Sequence, residues 1–284
     1  MIQDIFPHRL HNEFQPDATP SEDSPIFYFS GSKLLVKTGI DFRLPRFCDF
    51  GDVQINADDF TYLISVDEEQ YFLYRKNMDD TVLMDGFSYR EIKELREQNQ
   101  IPKAMAFATY TAKHLSDWYR DNRFCGRCGK PMVRHEKERA MTCKSCGYTS
   151  YPRIMPAVIV GVVNGDALLI TKYRVGYRHN ALVAGFTEIG ETVEETVARE
   201  VMEEAGIRVK NIRYYKSQPW GIANDILLGF YCEVDGDPTI RMDEQELSYA
   251  EWTKREEIVL QPDDYSLTNE MMARFKHGGK KTCR

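Results

Sequence analysis

The stretch Gly185–Ile207 reads GFTEIGETVEETVAREVMEEAGI, and its reading decides the fold of what surrounds it. Ala198, Val201, Met202 and Ala205 recur at i, i+3, i+4 and i+7, the period of an amphipathic helix lying on a core. Glu200, Glu203 and Glu204 share another side of the same cylinder, since positions three and four apart are neighbours. Like charges so placed repel by only about 0.2–0.5 kcal/mol per pair when exposed, so a solvated acidic face would tolerate them; a hard divalent cation would offset them. Thr192 followed by Glu195 is a capping box, Gly190 permits a tight entry, and Gly206 stops the helix.

The string also fixes residue types at long offsets. Gly185, Glu191, Arg199, Glu200, Val201, Glu203, Glu204, Gly206 and Ile207 occupy every specified position of G-x5-E-x7-R-E-U-x-E-E-x-G-U, where U is bulky and aliphatic. The segment therefore resembles the Nudix box. The resemblance implies an α/β (α+β) fold with an α-β-α sandwich that binds Mg²⁺ or Mn²⁺ and hydrolyses a nucleoside diphosphate linked to another group. It implies Glu200, Glu203 and Glu204 as ligands or base, with Arg199 orienting them.

With 284 residues, 42% of them hydrophobic and 29% charged, the chain can bury a sizeable core and is expected to make more than one domain. The apolar run Ala157–Val163 is too short to cross a bilayer, and MIQDIFPHRL lacks a basic region followed by an apolar one. A cytoplasmic protein with no membrane partner is the expectation. A formal net charge of −7 argues against a broad nucleic-acid surface. Residues 113–153 depart from that balance, with ten Lys or Arg against four acids, +6 before any metal; zinc on four thiolates would leave +4. Of seven cysteines, Cys48, Cys232 and Cys283 are scattered and read as small hydrophobes or inert thiols.

Residues 1–24 look like a loose polar arm. Strand-like runs follow at Ile26–Phe29, Lys33–Val36, Thr61–Val66 and Tyr71–Tyr74, and Ser88 with Glu91 would cap a helix through Glu94 and Leu95. Residues 1–101 thus read as a small α/β domain, a scaffold or a dimerisation module. Residues 102–122 read as a connector helix with Met105, Ala108, Ala112, Leu115 and Tyr119 in one stripe and Trp118 as packing. In residues 123–153, Cys125-x2-Cys128 and Cys143-x2-Cys146 can bring four sulfurs together, a structural zinc ribbon rather than a redox pair. Residues 154–284 make the last domain. It begins with a hairpin on an Asn164-Gly165 turn and continues with strands at Ile212–Lys216, Ile226–Val234 and Tyr249–Thr253, a helix at Ser266–Lys276, and a basic tail of Lys276, Lys280 and Lys281.

Three further pieces, the ribbon, Tyr151-Pro152-Arg153 and Ser217-Gln218-Pro219-Trp220, resemble the zinc-ribbon NADH pyrophosphatase and NAD-cap decapping (NudC-type) subfamily over residues 104 to 275. That resemblance implies hydrolysis of NAD(H), free or as an RNA cap, by a homodimer. It implies Tyr151 and Phe186 as base-stacking rings and Glu138 as a substrate contact. It also implies the Ala184 carbonyl as a metal contact, and Glu246, on a late strand six residues before Trp252, as a further ligand.

The chain departs from the SQPWPFPxS marker, reading SQPWGIAND from Ser217 to Asp225, and Thr268 stands where alanine is usual. Gly221, Ile222 and Ala223 in place of Pro-Phe-Pro predict a more flexible loop with weaker dinucleotide binding, although Asn224 and Asp225 stay in the candidate substrate wall. Three readings stand: an NAD(H) hydrolase, a Nudix hydrolase of another nucleotide such as ADP-ribose or a dinucleoside polyphosphate, and a non-catalytic nucleotide- or RNA-binding regulator.

Overall fold

Long runs of aliphatic and β-branched residues build the sheet that carries the glutamate helix. The computed structural model describes residues 1–39, 42–51, 59–75, 84–176 and 179–278; Lys280, Lys281 and Cys283 lie outside the described residues. The chain divides into two units, one of Met1–Gln3, Ile154–Trp220 and Asn224–Arg284, the other of Asp4–Arg153 and Gly221–Ala223.

In the second of these, β1 (Leu10–His11), β5 (Phe60–Val66), β6 (Glu69–Tyr74) and β2 (Ile26–Phe27) form one sheet in that order. A second sheet orders β3 (Phe29–Ser30), β4 (Lys33–Val36) and β7 (Ser88–Glu91). An aromatic core of Tyr28, Phe50, Phe60, Tyr62, Phe72 and Tyr74 fills the space between their residues. Ser88 is not a helix cap: it pairs with Val36 as a strand residue, and α1 (Ile92–Glu97) starts only after Glu91. The N-terminal residues are not a loose arm either. Leu10 and His11 pair with Val66 and Ser65, and Ile5 is buried, because these apolar side chains find cover.

α2 (Lys103–Asp121) buries Ala106, Ala108, Thr109, Tyr110, Ala112, Ser116, Trp118 and Tyr119, a wider belt than the expected single stripe; Met105 and Leu115 are only half-buried. The ribbon strands β8 (Val133–Arg134), β9 (Met141–Thr142) and β10 (Thr149–Ser150) are fastened to the β5 strand. Arg139 donates to the carbonyls of Leu63 (2.7 Å) and Asn12 (3.2 Å), and Arg134 donates to the Thr61 hydroxyl (2.8 Å).

The other unit is a six-stranded sheet ordered β14 (Val209–Trp220), β15 (Asp225–Val234), β11 (Met155–Asn164), β12 (Ala167–Tyr173), β16 (Leu247–Lys254), with β13 (Val183–Phe186) paired to β11. β11 and β15 run parallel, from Met155↔Asp225 to Val163↔Glu233. Alternate residues of β11 face opposite sides, as the pleat requires. Val158, Val160 and Val162 pack with Val197, Val201 and Ala205 of α3 (Val193–Ala205). Ala157 and Ile159 pack with Leu267, Met271 and Met272 of α4 (Leu267–Lys276). This is the expected α-β-α sandwich. The β11–β12 loop is one residue off the expectation: Asn164 still pairs with Ala167, so Gly165 (φ +61°) and Asp166 make the turn.

Candidate active site

Helix α3 begins as its sequence dictates. Thr192 Oγ1 accepts from the Glu195 amide (3.2 Å) and the Glu195 carboxylate accepts from the Thr192 amide (2.7 Å), while Gly206 closes the helix at φ +68°. The buried face is rotated from the one expected. Ala198 and Met202 are exposed, and the buried stripe is Val197, Val201 and Ala205 with Glu200 and Glu204 beside it. Burying two valines removes more apolar area than burying alanine at 198, and the same rotation carries two carboxylates against the sheet.

Gly185, on β13, makes room for one of them. A Cβ on residue 185 would lie 1.9 Å from the Glu200 carboxyl carbon, so any side chain there would displace this glutamate. Arg199 holds the cluster from the outside. Its guanidinium bonds Glu191 twice (2.6 and 2.9 Å), Glu200 (2.8 Å), Glu203 (2.9 Å) and the Phe186 carbonyl (2.9 Å). Glu191 also accepts from the Glu188 amide and the Thr196 hydroxyl; with Arg199 first, these bonds hold its pKa at about 2. Glu191 was legible only as a letter of the motif, yet it anchors the arginine.

Glu204 is different in kind. It is 1% exposed, its Oε1 takes a long bond from the Ala184 amide (3.4 Å), and its Oε2 has no partner. Burial, then the charges of Glu200, Glu246 and Asp243, push its pKa up to about 8 against the weak help of that amide. Burial also raises Glu200. Glu246 sits in a turn one residue before β16 rather than on it, close enough for its charge to raise both glutamates. Tyr173, which no motif pointed to, is raised by burial and by the charges of Glu204, Glu200 and Glu246. A buried carboxylate oxygen without a donor, beside other carboxylates and the Ala184 backbone, fits a hard divalent cation, which prefers oxygen ligands.

The cysteines form a second candidate centre. Cys125, Cys128, Cys143 and Cys146 place their sulfurs within 4.8 Å of one another, the one such set of three or more His, Cys, Asp or Glu ligands among the described residues. Distances of 3.6 Å (Cys125–Cys146) and 3.5 Å (Cys128–Cys143) approach the ~3.8 Å edge of a tetrahedron with zinc–sulfur bonds of about 2.3 Å. The two knuckles repeat each other. Cys125 N donates to Lys130 O and Cys143 N to Tyr148 O, both at 2.8 Å, and Gly129 and Gly147 both turn at φ +71°. Burial opposes thiolate formation at Cys143, but the amides of Cys146 and Ser145 outweigh it and bring its pKa to about 7.

The base-binding candidates separate. Phe186, 51% exposed at the end of β13, lies in the same unit as the glutamates. Tyr151, 54% exposed, donates to Glu138 Oε2 (2.9 Å) in the other. Gln218 is fully buried with its amide spent internally, donating to Tyr265 O (2.7 Å) and Gln3 Oε1 (3.1 Å) and accepting from Leu267 N (2.6 Å). It ties the start of α4 to β14, and Ser217 O accepts from Gln3. Thr268 is half-buried on the first turn of α4, Trp220 is half-buried, and Pro219 is exposed.

The GIA segment is not the free loop expected of it. Trp220 pairs directly with Asp225, leaving a four-residue turn, and a Cβ on residue 221 would lie 2.4 Å from the Tyr110 carbonyl oxygen. Ile222 and Ala223 are exposed, and Asn224 turns at φ +65°. Asp225 is buried with Oδ1 unpartnered, and desolvation pushes its pKa up to about 6.

Residues 153–275 match the NUDIX domain family, and residues 120–151 match the NADH pyrophosphatase zinc ribbon domain. A NAD-capped RNA hydrolase NudC of Klebsiella pneumoniae subsp. pneumoniae is 43% identical over 151 residues, 52% of this chain and 58% of the relative's length. The protein of the same name from Citrobacter koseri is 42% identical over 151 residues, with the same shares. The chain thus spans little more than half the length of these curated relatives. The crystal structure of a NUDIX hydrolase from Nitrosomonas europaea is similar at 22% identity, covering 55% of this chain and 90% of that one with a TM-score of 0.49. The glutamate helix with its glycine cradle and the four-thiol knot fall inside the two matched segments, so the chain carries a Nudix domain preceded by a zinc ribbon of the NADH pyrophosphatase type.

Proposed function

We propose that this protein hydrolyses the pyrophosphate bond of NAD(H), giving AMP and nicotinamide mononucleotide, and that it accepts the dinucleotide free or as the 5′ cap of an RNA. The observation that carries this reading is the match of a ribbon named for NADH pyrophosphatases directly ahead of a Nudix domain whose buried Glu204 keeps an oxygen without a donor. In the reaction water adds its oxygen to one phosphorus as the bridging P–O bond breaks, and each nucleotide keeps one phosphate.

Glu200, Glu203, Glu204, Glu246 and the Ala184 carbonyl would hold Mg²⁺ or Mn²⁺. When bound, such a cation supplies positive charge that offsets the pyrophosphate and makes water a better nucleophile at neutral pH. The protein's own part is positional. Arg199, clamped by Glu191 and Phe186 O, fixes the directions of Glu200 and Glu203. Burial keeps Glu204 able to accept or hold a proton near neutrality, and because close carboxylates titrate together, the proton belongs to the set. Phe186, and Tyr151 aligned by Glu138, offer exposed ring faces for a base, and Gln218 keeps the Ser217–Trp220 wall in shape, with Thr268 a further candidate contact on the first turn of α4. The ribbon thiols would hold one structural Zn²⁺, and the protein would act as a homodimer, which light scattering at micromolar concentration tests.

A second reading, hydrolysis of ADP-ribose or a dinucleoside polyphosphate, draws on the Gly221–Ala223 turn, which lacks the aromatic and proline surface of the NADH marker. Incubation with NADH or ADP-ribose and Mn²⁺, with products identified by mass, separates the two. AMP and nicotinamide mononucleotide from NADH at the higher kcat/KM supports the first, cleavage of ADP-ribose alone moves the assignment to the second, and no cleavage of either, or of a diadenosine polyphosphate added as a third substrate, removes both.

A further inference from the structure

The ribbon contains a feature that four thiols do not require. Arg134, His135, Lys137 and Lys144 line an open recess of about 350 Å³ beside β8 and β9, with Glu136 as the carboxylate on its wall. Two of the four are held in place. Arg134 lines the recess and is anchored through one guanidinium nitrogen on Thr61 Oγ1 (2.8 Å). His135 Nδ1 accepts from the amides of Lys137 (3.3 Å) and Glu138 (3.1 Å), which places the ring proton on Nε2 as a further donor. Lys144 projects from the Cys143–Cys146 knuckle, whose fold zinc would stiffen.

Charge makes the recess specific to anions. The whole chain carries a formal −7, yet residues 113–153 carry +6, or +4 once four thiolates and a zinc ion are counted. Part of that excess is spent elsewhere: Arg120 and Lys113 pair with Asp117 on α2, and Arg139 is half-buried and donates to backbone carbonyls. Among the described residues Arg134, Lys137 and Lys144 form no ion pair with an acid, and a cluster of this kind binds phosphates by neutralising them and releasing counterions. On an acidic chain a basic recess draws a polyanion that the net charge otherwise repels.

We infer that the ribbon recess lined by Arg134, Lys137 and Lys144 binds the phosphodiester backbone of a single-stranded RNA, as a site separate from the residues that handle the dinucleotide. The inference rests on the proposed reading only in taking RNA-linked NAD as a substrate. A free dinucleotide does not need it; an RNA carrying the dinucleotide gains affinity from it.

The experiment measures binding of a short, uncapped, single-stranded RNA by fluorescence anisotropy across a salt series, for the wild type, Lys137→Ala, Lys144→Ala, the double variant and the two Lys→Arg variants. Zinc content and thermal midpoint confirm that each variant is folded. Each alanine should weaken binding and make the plot of log affinity against log salt shallower by about 0.7, and the double variant by about 1.4, whereas arginine should restore both. The KM for NAD-capped RNA should rise in the double variant while NADH kinetics stay at the wild-type level. Unchanged affinity and slope in the double variant overturn the inference. So does equal competition by AMP at the same phosphate concentration, which would make the recess a single-phosphate site. Because the probe RNA has no cap, loss of the slope effect with intact NADH cleavage refutes the recess alone, and an intact slope effect without NADH cleavage refutes the proposed activity alone.

Discussion

The four-thiol knot and the glutamate cluster solve opposite problems. The thiols come from two short knuckles that repeat each other, with sulfurs already at near-tetrahedral separations and backbone amides aimed at them. The glutamates come from helix α3 and a turn before β16, and Arg199 bonds Glu200 and Glu203 but leaves Glu204 to the Ala184 amide. One centre is closed and lends order to its surroundings. The other is left short of positive charge, and Glu204 is where the shortage is greatest. A site that must take substrate keeps an open requirement; a site that only holds a fold does not.

Glu204→Gln is the strongest way to break that contrast. Turnover should fall by at least about 10³-fold, some 4 kcal/mol at 1.36 kcal/mol per tenfold, with the fold retained. Stability gives a second readout. The folded pKa of Glu204 lies near 8 against an ordinary 4.5, so between those values the folded chain holds a proton that the unfolded chain has released. Stability of the chelated wild type is therefore lost as pH rises through this window. The chelated glutamine variant should melt higher at pH 8 and converge with the wild type near pH 4; the reverse order would show that burial is not what raises Glu204.

Cys143→Ser should do the opposite, lowering unfolding free energy by about 4 kcal/mol, the range reserved for lost metals and similar insults, before it alters the metal dependence of catalysis. Elemental analysis should find one zinc per wild-type chain. Activity lost at unchanged thermal midpoint would mean that the thiols serve chemistry.

Gly185→Ala sharpens the comparison at the open centre alone. Its Cβ would meet Glu200 at 1.9 Å, and a displacement near 1 Å at a reacting group costs about 100-fold in rate. The zinc content should not change, and full activity would show that Glu200 need not lie in the glycine cradle. Asp225→Asn tests whether an orphaned carboxylate destabilises the fold away from the cluster. Its pKa is raised from 3.8 to about 6 by desolvation, so stability is lost as pH rises between those values. The variant should gain on the order of 2 kcal/mol at pH 8 and nothing near pH 3.5, as followed by urea melts.

Much of this centre could be read in advance because helix caps and a motif are local. Thr192, Glu195 and Gly206 behave as their types require, and the acids of α3 surround Arg199. What could not be read depended on partners far along the chain. Periodicity gives the spacing of a helical stripe but not its rotation, so Ala198 and Met202 stood in for Val197 beside the buried acids until β11 and β13 were in view. Ser88 followed by Glu91 fits a capping box and a strand equally well, and pairing with Val36 decided it. Glu246 carried no local signal beyond family likeness. Gly221 looked like a loss of rigidity because the Tyr110 backbone that constrains it is more than a hundred positions away.

The parallel junction of β11 with β15 also sets an order of events at the ribosome. Met155 must wait for Asp225, about seventy residues later, and at roughly 5–20 residues per second that is several seconds of synthesis. By then all of the ribbon-bearing unit, residues 4–153 and 221–223, has been made. In the meantime the valines of β11 can gather β12, β13 and α3, while the edge that awaits β15 stays unpaired. Pairing so distant in sequence is slow to form and leaves apolar edges exposed. The Nudix half is therefore the part of the newborn chain most in need of a chaperone.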